Sequence, residues 1–278
     1  MYLVTAATAP VGRSLAEQLV AAGHRVRALT RDPERADLPP GVEAAGGDLS
    51  DPDSLKSALH DVTGVFLLAV VPGFTPALLA AARDAGVRRI VFQSSGAIED
   101  GADPQPNEIA AFHGDIEQAI RASGLEWTFL RLEVASADAL QWAYDVPAQL
   151  RAGDVVRGPY AEAAGSPIHP ADLAAVAAAA LTDDRHAGQV YRLTGPESVT
   201  HREQVRLIGA AAGRPLRFEE LDPVVARRTI SPYAPADVLF ETWEHHLTSP
   251  APVTDTVERV TGRPPRTVAE WAAAYPVG

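Results

Sequence analysis

The first thirteen residues constrain the fold of this chain more than any other stretch. They read MYLVTAATAPVGR. The apolar run from Tyr2 to Val4 is typical of a buried parallel strand, and Val11 to Gly23 has apolar residues at helical spacing. A strand, a tight turn and a helix form the opening unit of a dinucleotide-binding fold, whose helix N-terminus attracts a pyrophosphate. The pattern therefore predicts cofactor contacts from Thr8, Ala9, Pro10, Val11 and Gly12.

The same turn resembles T-G-A-T-G-x-x-G-R, the opening motif of the NmrA-like atypical short-chain dehydrogenase/reductases. Ala6 and Ala9 stand where that family usually has glycine, and Gly12 keeps the third position. Glycine there permits a positive φ and a close phosphate, so the two alanines predict a displaced or weakly bound cofactor. The alternative is an ordinary strand-to-helix turn, since a degenerate glycine motif is a weak signal. Three later phrases also resemble the family: SGLEWTFLR, PIHPADLA and TGRPPRTVAEWAAAY.

The composition narrows the class of protein. The chain has 278 residues, of which 46% are hydrophobic, which is enough for one large domain or a domain with a smaller lobe. Cysteine is absent, which excludes disulfides and thiol nucleophiles. The net charge is −12 and no basic block occurs, so nucleic acid is not an expected partner. With no long apolar run and no signal peptide, we expect a cytoplasmic protein without a membrane span.

Apolar segments alternate with helical segments along the first two thirds of the chain. The predicted strands are His24–Thr30, Val42–Asp48, Val62–Val71, Arg88–Phe92, Glu126–Arg131 and Gln189–Leu193. The alternation predicts an α/β, Rossmann-type, doubly wound parallel sheet. We expect residues 1–131, with returning segments at about 155–195, to form the NAD(P)-binding domain. Residues 132–154 and 196–278 are expected to form a small, mainly helical substrate lobe.

The residues that follow the predicted strands indicate which dinucleotide is bound. Arg31 closes the second strand, where an arginine pairs with a 2′-phosphate and an acid would accept from a 2′-hydroxyl. This favours NADPH over NADH, although Arg31 could be a solvated surface residue. The family resemblance implies that Asp48 and Leu49 lie against the adenine. The end of the fourth strand places Ala69, Val70 and Val71 beside the ribose and pyrophosphate.

The catalytic residues are predicted from what the chain has and what it lacks. The resemblance implies a catalytic serine after the fifth strand, at Ser94-Ser95, although serine also caps turns there. The Tyr-x-x-x-Lys pair of most short-chain reductases is absent. The family's lysine position falls near His113, where quinone-reducing relatives carry histidine. We therefore expect Ser95 and His113 to be catalytic, and Ser94 and His113 to contact the cofactor, unless His113 merely pairs with Glu117 one helical turn away.

Aromatic residues of the predicted lobe suggest a pocket for a flat substrate. We expect Trp142, Tyr233, Phe240 and Trp243 to bind an aromatic carbonyl compound, unless they are core residues of the lobe. The chain also resembles ketoreductases of aromatic polyketide antibiotic pathways, such as the angucyclinone ketoreductases of simocyclinone type. That resemblance implies a ketone or quinone on a polycyclic aromatic compound as substrate.

Two classes of function remain open at this level. The first is an NADPH-dependent reductase, either a ketoreductase or a general quinone oxidoreductase. The second is a redox-sensing regulator that binds the dinucleotide without catalysis, as the family's namesake suggests, and the missing Tyr-x-x-x-Lys favours it. The aromatic-bearing lobe and the negative charge favour the enzyme. No metal site is predicted, because the adjacent His245 and His246 cannot chelate from one helix face.

Overall fold

The computed structural model describes residues 1–69, 72–133, 143–231 and 234–274. The strands are β1 (Tyr2–Thr5), β2 (Val26–Thr30), β3 (Val42–Gly46), β4 (Gly64–Leu68), β5 (Arg89–Ser95), β6 (Glu126–Leu132), β7 (Val155–Gly158), β8 (Ala164–Gly165), β9 (Gln189–Leu193), β10 (Val199–Thr200) and β11 (Arg217–Glu220). The helices are α1 (Pro10–Ala21), α2 (Pro52–Ala58), α3 (Thr75–Asp84), α4 (Glu108–Ala122), α5 (Val146–Ala152), α6 (Pro170–Thr182), α7 (His201–Ala212), α8 (Pro223–Thr229), α9 (Ala236–His245), α10 (Thr256–Thr261) and α11 (Val268–Ala273).

A seven-stranded sheet is the centre of the structure, in the order β3-β2-β1-β4-β5-β6-β9. The pairs from β3 to β6 are parallel. At β9, Gly188 N–H donates to Trp127 and Glu133 N–H donates to Leu193, so β9 runs in the same direction as β6. The order reverses between β1 and β4, which is the switch point at which open α/β sheets bind ligands. The predicted doubly wound α/β fold is confirmed.

Helices cover both faces of this sheet, as the apolar character of its strands requires. On one face, α2, α3 and α4 bury Leu55, Leu78 and Ile116 against the sheet. The other face carries α1 and α6, which pack against each other. Arg89 of β5 reaches this face, where its guanidinium donates to the carbonyl of Leu181 at 3.1 Å.

The chain divides into two compact units. The first comprises Met1–Leu132, Pro170–Arg192 and Val260–Gly262, and it contains the sheet. The second comprises Glu133–His169, Leu193–Arg259 and Arg263–Gly278. Its core is an apolar cluster, and β11 pairs with β7 in parallel. The segments that return to the first unit are therefore 170–192 and 260–262, and β7 at 155–158 belongs to the second unit.

Strand ends differ from the sequence-based boundaries in two places that affect the site. The predicted strand Val62–Val71 is shorter, because β4 covers only Gly64–Leu68. The fifth strand is longer than predicted, since β5 runs through polar residues to Ser95, which pairs with Leu132 of β6. The polar end of β5 remains in the sheet because its neighbour β6 continues alongside it. Within the described part of the chain, no helix is long and apolar enough to cross a membrane.

Candidate cofactor and active site

The parallel sheet brings most of the predicted site residues to one edge. Residues 8–12 follow β1, Arg31 follows β2, Asp48 and Leu49 follow β3, Ala69 follows β4, and Ser95 ends β5. The strands are adjacent and parallel, so their carboxyl ends share this edge. Thr5 ties two of these ends together, because its buried Oγ1 accepts from Leu68 N–H at 2.8 Å. The predicted contacts of Val70 and Val71 lie outside the described residues.

In the turn after β1, one of the two alanines has the backbone conformation that normally favours glycine. Ala6 has a φ of 53°, in the left-handed region that favours glycine. Ala9 has φ −86° and ψ 158°, which any residue adopts. Replacing glycine at position 6 therefore strains the backbone. At position 9, alanine in place of glycine only adds a methyl group next to the start of α1.

Gly12 has a packing role rather than the predicted conformational one. It lies inside α1, is buried, and does not have a positive φ. A Cβ at this position would be 2.3 Å from the carbonyl oxygen of Ala6 and 2.7 Å from its carbonyl carbon. Glycine is required because the helix passes directly over the turn. The expectation of a positive φ at Gly12 is corrected accordingly.

The N-terminus of α1 has two backbone donors that the helix does not use. Ala9 N–H donates to Ala6 at 2.9 Å, Pro10 has no N–H, and Arg13 N–H makes the first helical bond to Ala9. Val11 and Gly12 occupy the intervening positions, whose N–H groups have no partner within a helix. Together with the positive end of the helix dipole, these two donors suit a pyrophosphate.

The loop after β2 carries Arg31 at the place where a 2′-phosphate would lie. Arg31 is exposed directly after the strand. The neighbouring carboxylate of Asp32 accepts from the backbone of Arg35 at 3.3 Å, so it caps its own turn. Arg13 reaches the same loop from α1 and donates to the backbone carbonyl of Asp37 at 2.8 Å and to its carboxylate. Sequence reasoning missed Arg13, although it closes the quoted opening motif.

Asp48 is held in its ionised form by the residues that follow it. Its Oδ1 accepts from the backbone N–H of Ser50 at 2.8 Å and from the Ser50 hydroxyl at 2.7 Å. These hydrogen bonds lower the pKa of Asp48, with a smaller contribution from the charge of Arg31. Leu49 packs against the edge of the apolar core. The pair therefore offers one anionic and one apolar group at the end of β3.

The two serines at the end of β5 have different surroundings. The Ser94 hydroxyl is buried and donates to Glu117 at 2.6 Å, so its proton is already engaged within the first unit. Ser95 is partly exposed, and its Oγ accepts from Ala97 N–H at 3.2 Å. A hydroxyl that accepts this bond keeps its hydrogen free to donate. Of the two, Ser95 is better suited to bind a substrate oxygen.

His113 lies on α4 above the end of β5, and its ring stacks on Phe92 with centroids 5.9 Å apart. Nδ1 lies 2.9 Å from the carbonyl of Ile109; a carbonyl only accepts, so Nδ1 carries the proton. Burial lowers the pKa of His113, against smaller opposing effects of this bond and of Glu117. The ring is therefore neutral at neutral pH, with Nε2 as an acceptor. The hydrogen bonds of Glu117 go instead to Ser94 and Arg131.

Strand alternation separates the two residues predicted to be catalytic. Phe92 contacts His113 and Ser94 contacts Glu117, so these alternate residues of β5 face α4. Ser95, one position further, projects to the other face of the sheet. Gln93 shares that face, and its buried Oε1 has no partner in the described structure. Sequence reasoning missed this unpaired acceptor beside Ser95. The only sequence signal for it is that Gln93 directly precedes the serine pair.

The aromatic residues predicted to bind substrate are core residues where the structure describes them. Phe240 and Trp243 are buried in the cluster of the second unit, with ring centroids 5.6 Å apart. Trp142 and Tyr233 lie outside the described residues. The alternative interpretation of these aromatics, as the core of the lobe, therefore describes Phe240 and Trp243 in this structure.

Comparisons with known proteins show the family to which the chain belongs. A sequence model described as NAD(P)H-binding matches residues 6–184. The chain belongs to this NAD(P)H-binding family. It is 40% identical to the (4-alkanoyl-5-oxo-2,5-dihydrofuran-3-yl)methyl phosphate reductase of Streptomyces griseus, over 99% of this chain and 98% of that protein. It is 35% identical to the NAD(P)H azoreductase of Xenophilus azovorans, again over 99% and 98% of the two chains.

A solved structure extends the comparison to the whole fold. An NADPH-dependent quinone oxidoreductase of Escherichia coli, in complex with NADPH, superposes with a TM-score of 0.76 at 25% identity and covers 99% of both chains. With reductases matching along its whole length, the chain is an NAD(P)H-dependent oxidoreductase. The edge formed by residues 8–12, Arg31, Asp48 and Ser95 is where the sequence predicts the dinucleotide to bind.

Proposed function

We propose that this protein uses NADPH to reduce an electron-poor conjugated carbonyl compound, namely a quinone or a ketone of a polycyclic aromatic metabolite. The reaction would take place at the carboxyl edge of the seven-stranded sheet. NADPH supplies the hydride when bound, and the reduced substrate takes up one proton. The residues of the chain bind the dinucleotide and orient the substrate oxygen.

The neutral state of His113 carries this proposal. Its Nδ1–H is bonded to Ile109, and its Nε2 accepts rather than donates. The ring can therefore receive a hydrogen bond from a hydroxyl group but is a poor acid at neutral pH. Conjugated acceptors suit such a site, because their reduced enol or phenol forms exchange protons with water and need no strong acid from the protein. Ser95 supplies the hydrogen bond to the substrate oxygen.

The names of the relatives are consistent with this class of substrate. They describe the methyl phosphate of an alkanoyl-substituted dihydrofuranone, an azo compound and a quinone. Each of these has an electron-poor conjugated double bond that accepts a hydride. The polycyclic aromatic ketone extends this class on the resemblance to antibiotic-pathway ketoreductases, which remains a prediction.

The preference for NADPH is proposed from the loop after β2. The exposed guanidinium of Arg31 lies where the 2′-phosphate is expected, and the nearest acid, Asp32, caps its own turn. Arg31→Asp should weaken NADPH binding by roughly tenfold to a hundredfold, as expected for a lost bond to a charged group, and leave NADH binding unchanged. Calorimetry with both dinucleotides measures this, with Arg35→Asp as the neighbouring control. An equal loss for NADPH and NADH would contradict the role of Arg31.

Oxidation of NADPH with a panel of acceptors tests the activity. The panel holds a naphthoquinone, a polycyclic aromatic ketone, an acylated butenolide and an azo dye. We expect His113→Ala to raise the KM for NADPH roughly tenfold with kcat nearly unchanged, while the exposed His60→Ala has no effect. A loss of kcat on the order of a hundredfold in His113→Ala would instead make this residue the acid. No turnover with any acceptor would refute the proposed function.

A further inference from the structure

A buried ionic cluster joins the three elements that surround the proposed active site. Glu117 is fully buried, and its Oε1 accepts from the Ser94 hydroxyl at 2.6 Å and from Arg131 Nε at 2.9 Å. Its Oε2 accepts from Arg131 Nη2 at 2.7 Å and forms an ion pair with Arg121 Nη1 at 3.1 Å. Arg131 is 2% exposed and also donates to both oxygens of Asp100, at 3.1 and 2.8 Å.

Four partners in this cluster come from different elements, and Arg121 lies on α4 together with Glu117. Ser94 is on β5, directly before Ser95, and Glu117 is on α4, one helical turn after His113. Arg131 is on β6, and Asp100 is on the loop of residues 97–107 that joins β5 to α4. One carboxylate and one guanidinium thus connect the strand that carries Ser95, the helix that carries His113 and the loop between them.

Two kinds of contact hold the loop, namely the burial of Ile98 and the Asp100–Arg131 pair. A cavity of about 480 Å³ lies between the loop and α4, lined by Ile98, Gly101, Gln105, Gly114 and Arg121 among others. Within the loop, Gln105 donates to the carbonyls of Glu99 and Ala102 and accepts from Glu99 N–H. The Asp100–Arg131 pair therefore connects an internally bonded loop to the sheet across an open space.

We propose that Glu117 is a positioning residue of the active site, which sets the placement of Ser95 and His113 relative to each other through Ser94 and Arg131. The burial of the ions supports this assignment. A buried ion pair usually contributes little net stability compared with apolar residues of similar size. A chain that needed only a stable core at this place could use apolar side chains. The proposal rests on the proposed function, because it assigns Glu117 a role in that reaction.

Separating a positioning role from a purely structural one requires a pair of variants. Glu117→Gln leaves Arg131 without its buried counter-ion, so both the melting temperature and kcat should fall. Glu117→Gln combined with Arg131→Met removes both charges and should recover the melting temperature. We expect kcat of this double variant to stay at least tenfold below that of the native protein. Recovery of kcat together with stability would overturn the proposal. Asp115→Asn, exposed on the same helix, is the control and should change neither quantity.

Ser94→Ala is a milder test that does not endanger folding. It removes one hydroxyl and leaves the Glu117–Arg131 pair intact. If Ser94 positions Ser95, which bonds the substrate oxygen, kcat should fall about threefold to tenfold, while the dissociation constant for NADPH should rise by less than the roughly tenfold expected for His113→Ala. Unchanged kcat would contradict the proposal. A weaker NADPH affinity with unchanged kcat would also contradict it, and would instead support the sequence-based expectation that Ser94 contacts the cofactor.

Failure of the proposed function and failure of this inference can be told apart. If the native protein oxidises NADPH with no acceptor in the panel, the proposed function fails. The cluster is then tested without substrate, from the ring resonances of His113 in the magnetic resonance spectrum. These should shift in Ser94→Ala and in the double variant but not in Asp115→Asn. Resonances that stay in place would mean that Glu117 does not position His113.

Discussion

Two buried clusters differ in the charge of their polar groups. The ionic cluster of the first unit contains Ser94, Asp100, Glu117 and Arg131. The aromatic cluster of the second unit contains Tyr144, His201, Phe240 and Trp243. In the first unit, Glu117 and Arg131 are buried as ions, and the partners of both are in place. In the second unit, the phenol of Tyr144 is 6% exposed and has no hydrogen-bond partner in the part of the chain that the structure describes. Burial raises its pKa, so the phenol stays protonated.

His201 belongs to the same aromatic cluster and is also kept uncharged. Its ring packs edge-on against Trp243, with centroids 5.1 Å apart, and its Nδ1 donates to Pro159 at 3.3 Å. Burial lowers its pKa to about 4. The ions of the first cluster connect β5, α4 and β6, whereas the polar groups of the second cluster lie within an apolar core.

The largest effect is expected from breaking the ionic cluster on one side. Arg131→Met leaves the buried carboxylate of Glu117 without its main partner, and should lower the free energy of unfolding by about 3–5 kcal/mol. Urea unfolding at pH 7 measures the change. The exposed Arg83→Met on α3 is the control, expected within about 0.5 kcal/mol of the native protein. A loss of unfolding free energy below about 1 kcal/mol would mean that breaking the buried ion pair costs no more than a substitution in the aromatic cluster.

The second prediction concerns the pH dependence that His201 gives to the second unit. A folded pKa of about 4 lies below the unfolded value of about 6.5, so the unfolded chain takes up the proton first as the pH falls. Stability is thus fully present above about pH 6.5 and falls toward pH 4, by up to about 3 kcal/mol.

Replacing the imidazole of His201 tests whether stability falls with pH as predicted. In His201→Gln, the slope of unfolding free energy against pH between 4 and 6.5 should be smaller than in the native protein. The exposed His245→Gln on α9 should keep the native slope. An unchanged slope in His201→Gln would mean that the buried ring titrates normally.

The third prediction is a stabilising substitution, whereas the first prediction is a destabilising one. Tyr144→Phe removes a buried hydroxyl without a partner, and should raise the free energy of unfolding by about 1–2 kcal/mol. Tyr191→Phe is the matched variant, because its hydroxyl bonds His186 Nδ1 at 2.7 Å, and it should lower the same quantity by about 1 kcal/mol. Thermal melts of both variants give the comparison. A destabilised Tyr144→Phe would show that the phenol has a partner in solution.

The smallest effect concerns the strained turn of the first unit. Ala6→Gly removes a side chain from the left-handed region and should stabilise the protein by about 1 kcal/mol. Ala44→Gly, on the exposed strand β3, should instead destabilise by about 0.5–1 kcal/mol. If Ala6→Gly stabilises the protein and Ala44→Gly destabilises it, the backbone strain is located at Ala6. If both substitutions destabilise the protein, Ala6 is not strained.

The sequence by itself determined the order of strands and helices and the edge at which the site lies. Continuous apolar runs such as Val65 to Leu67 are typical of buried strands of a parallel sheet, and alternation with helices favours the same direction for successive strands. The carboxyl ends of such strands meet at one edge, so residues 8–12, Arg31, Asp48 and Ser95 could be placed there from the sequence. The cap of α7 is also local, because Thr200 accepts from the N–H of Glu203, three residues later in the chain.

The partners of buried polar side chains were decided only by the tertiary structure. Ser94, Glu117 and Arg131 are separated in the chain, and no periodicity indicates that one carboxylate accepts from both other side chains. Likewise, spacing placed His113 beside Glu117 on one helix face, but Arg131 from β6 lies close enough to bind that carboxylate. Local patterns report neighbours within one element. The environment that sets a pKa or engages a hydroxyl comes from the elements packed against it.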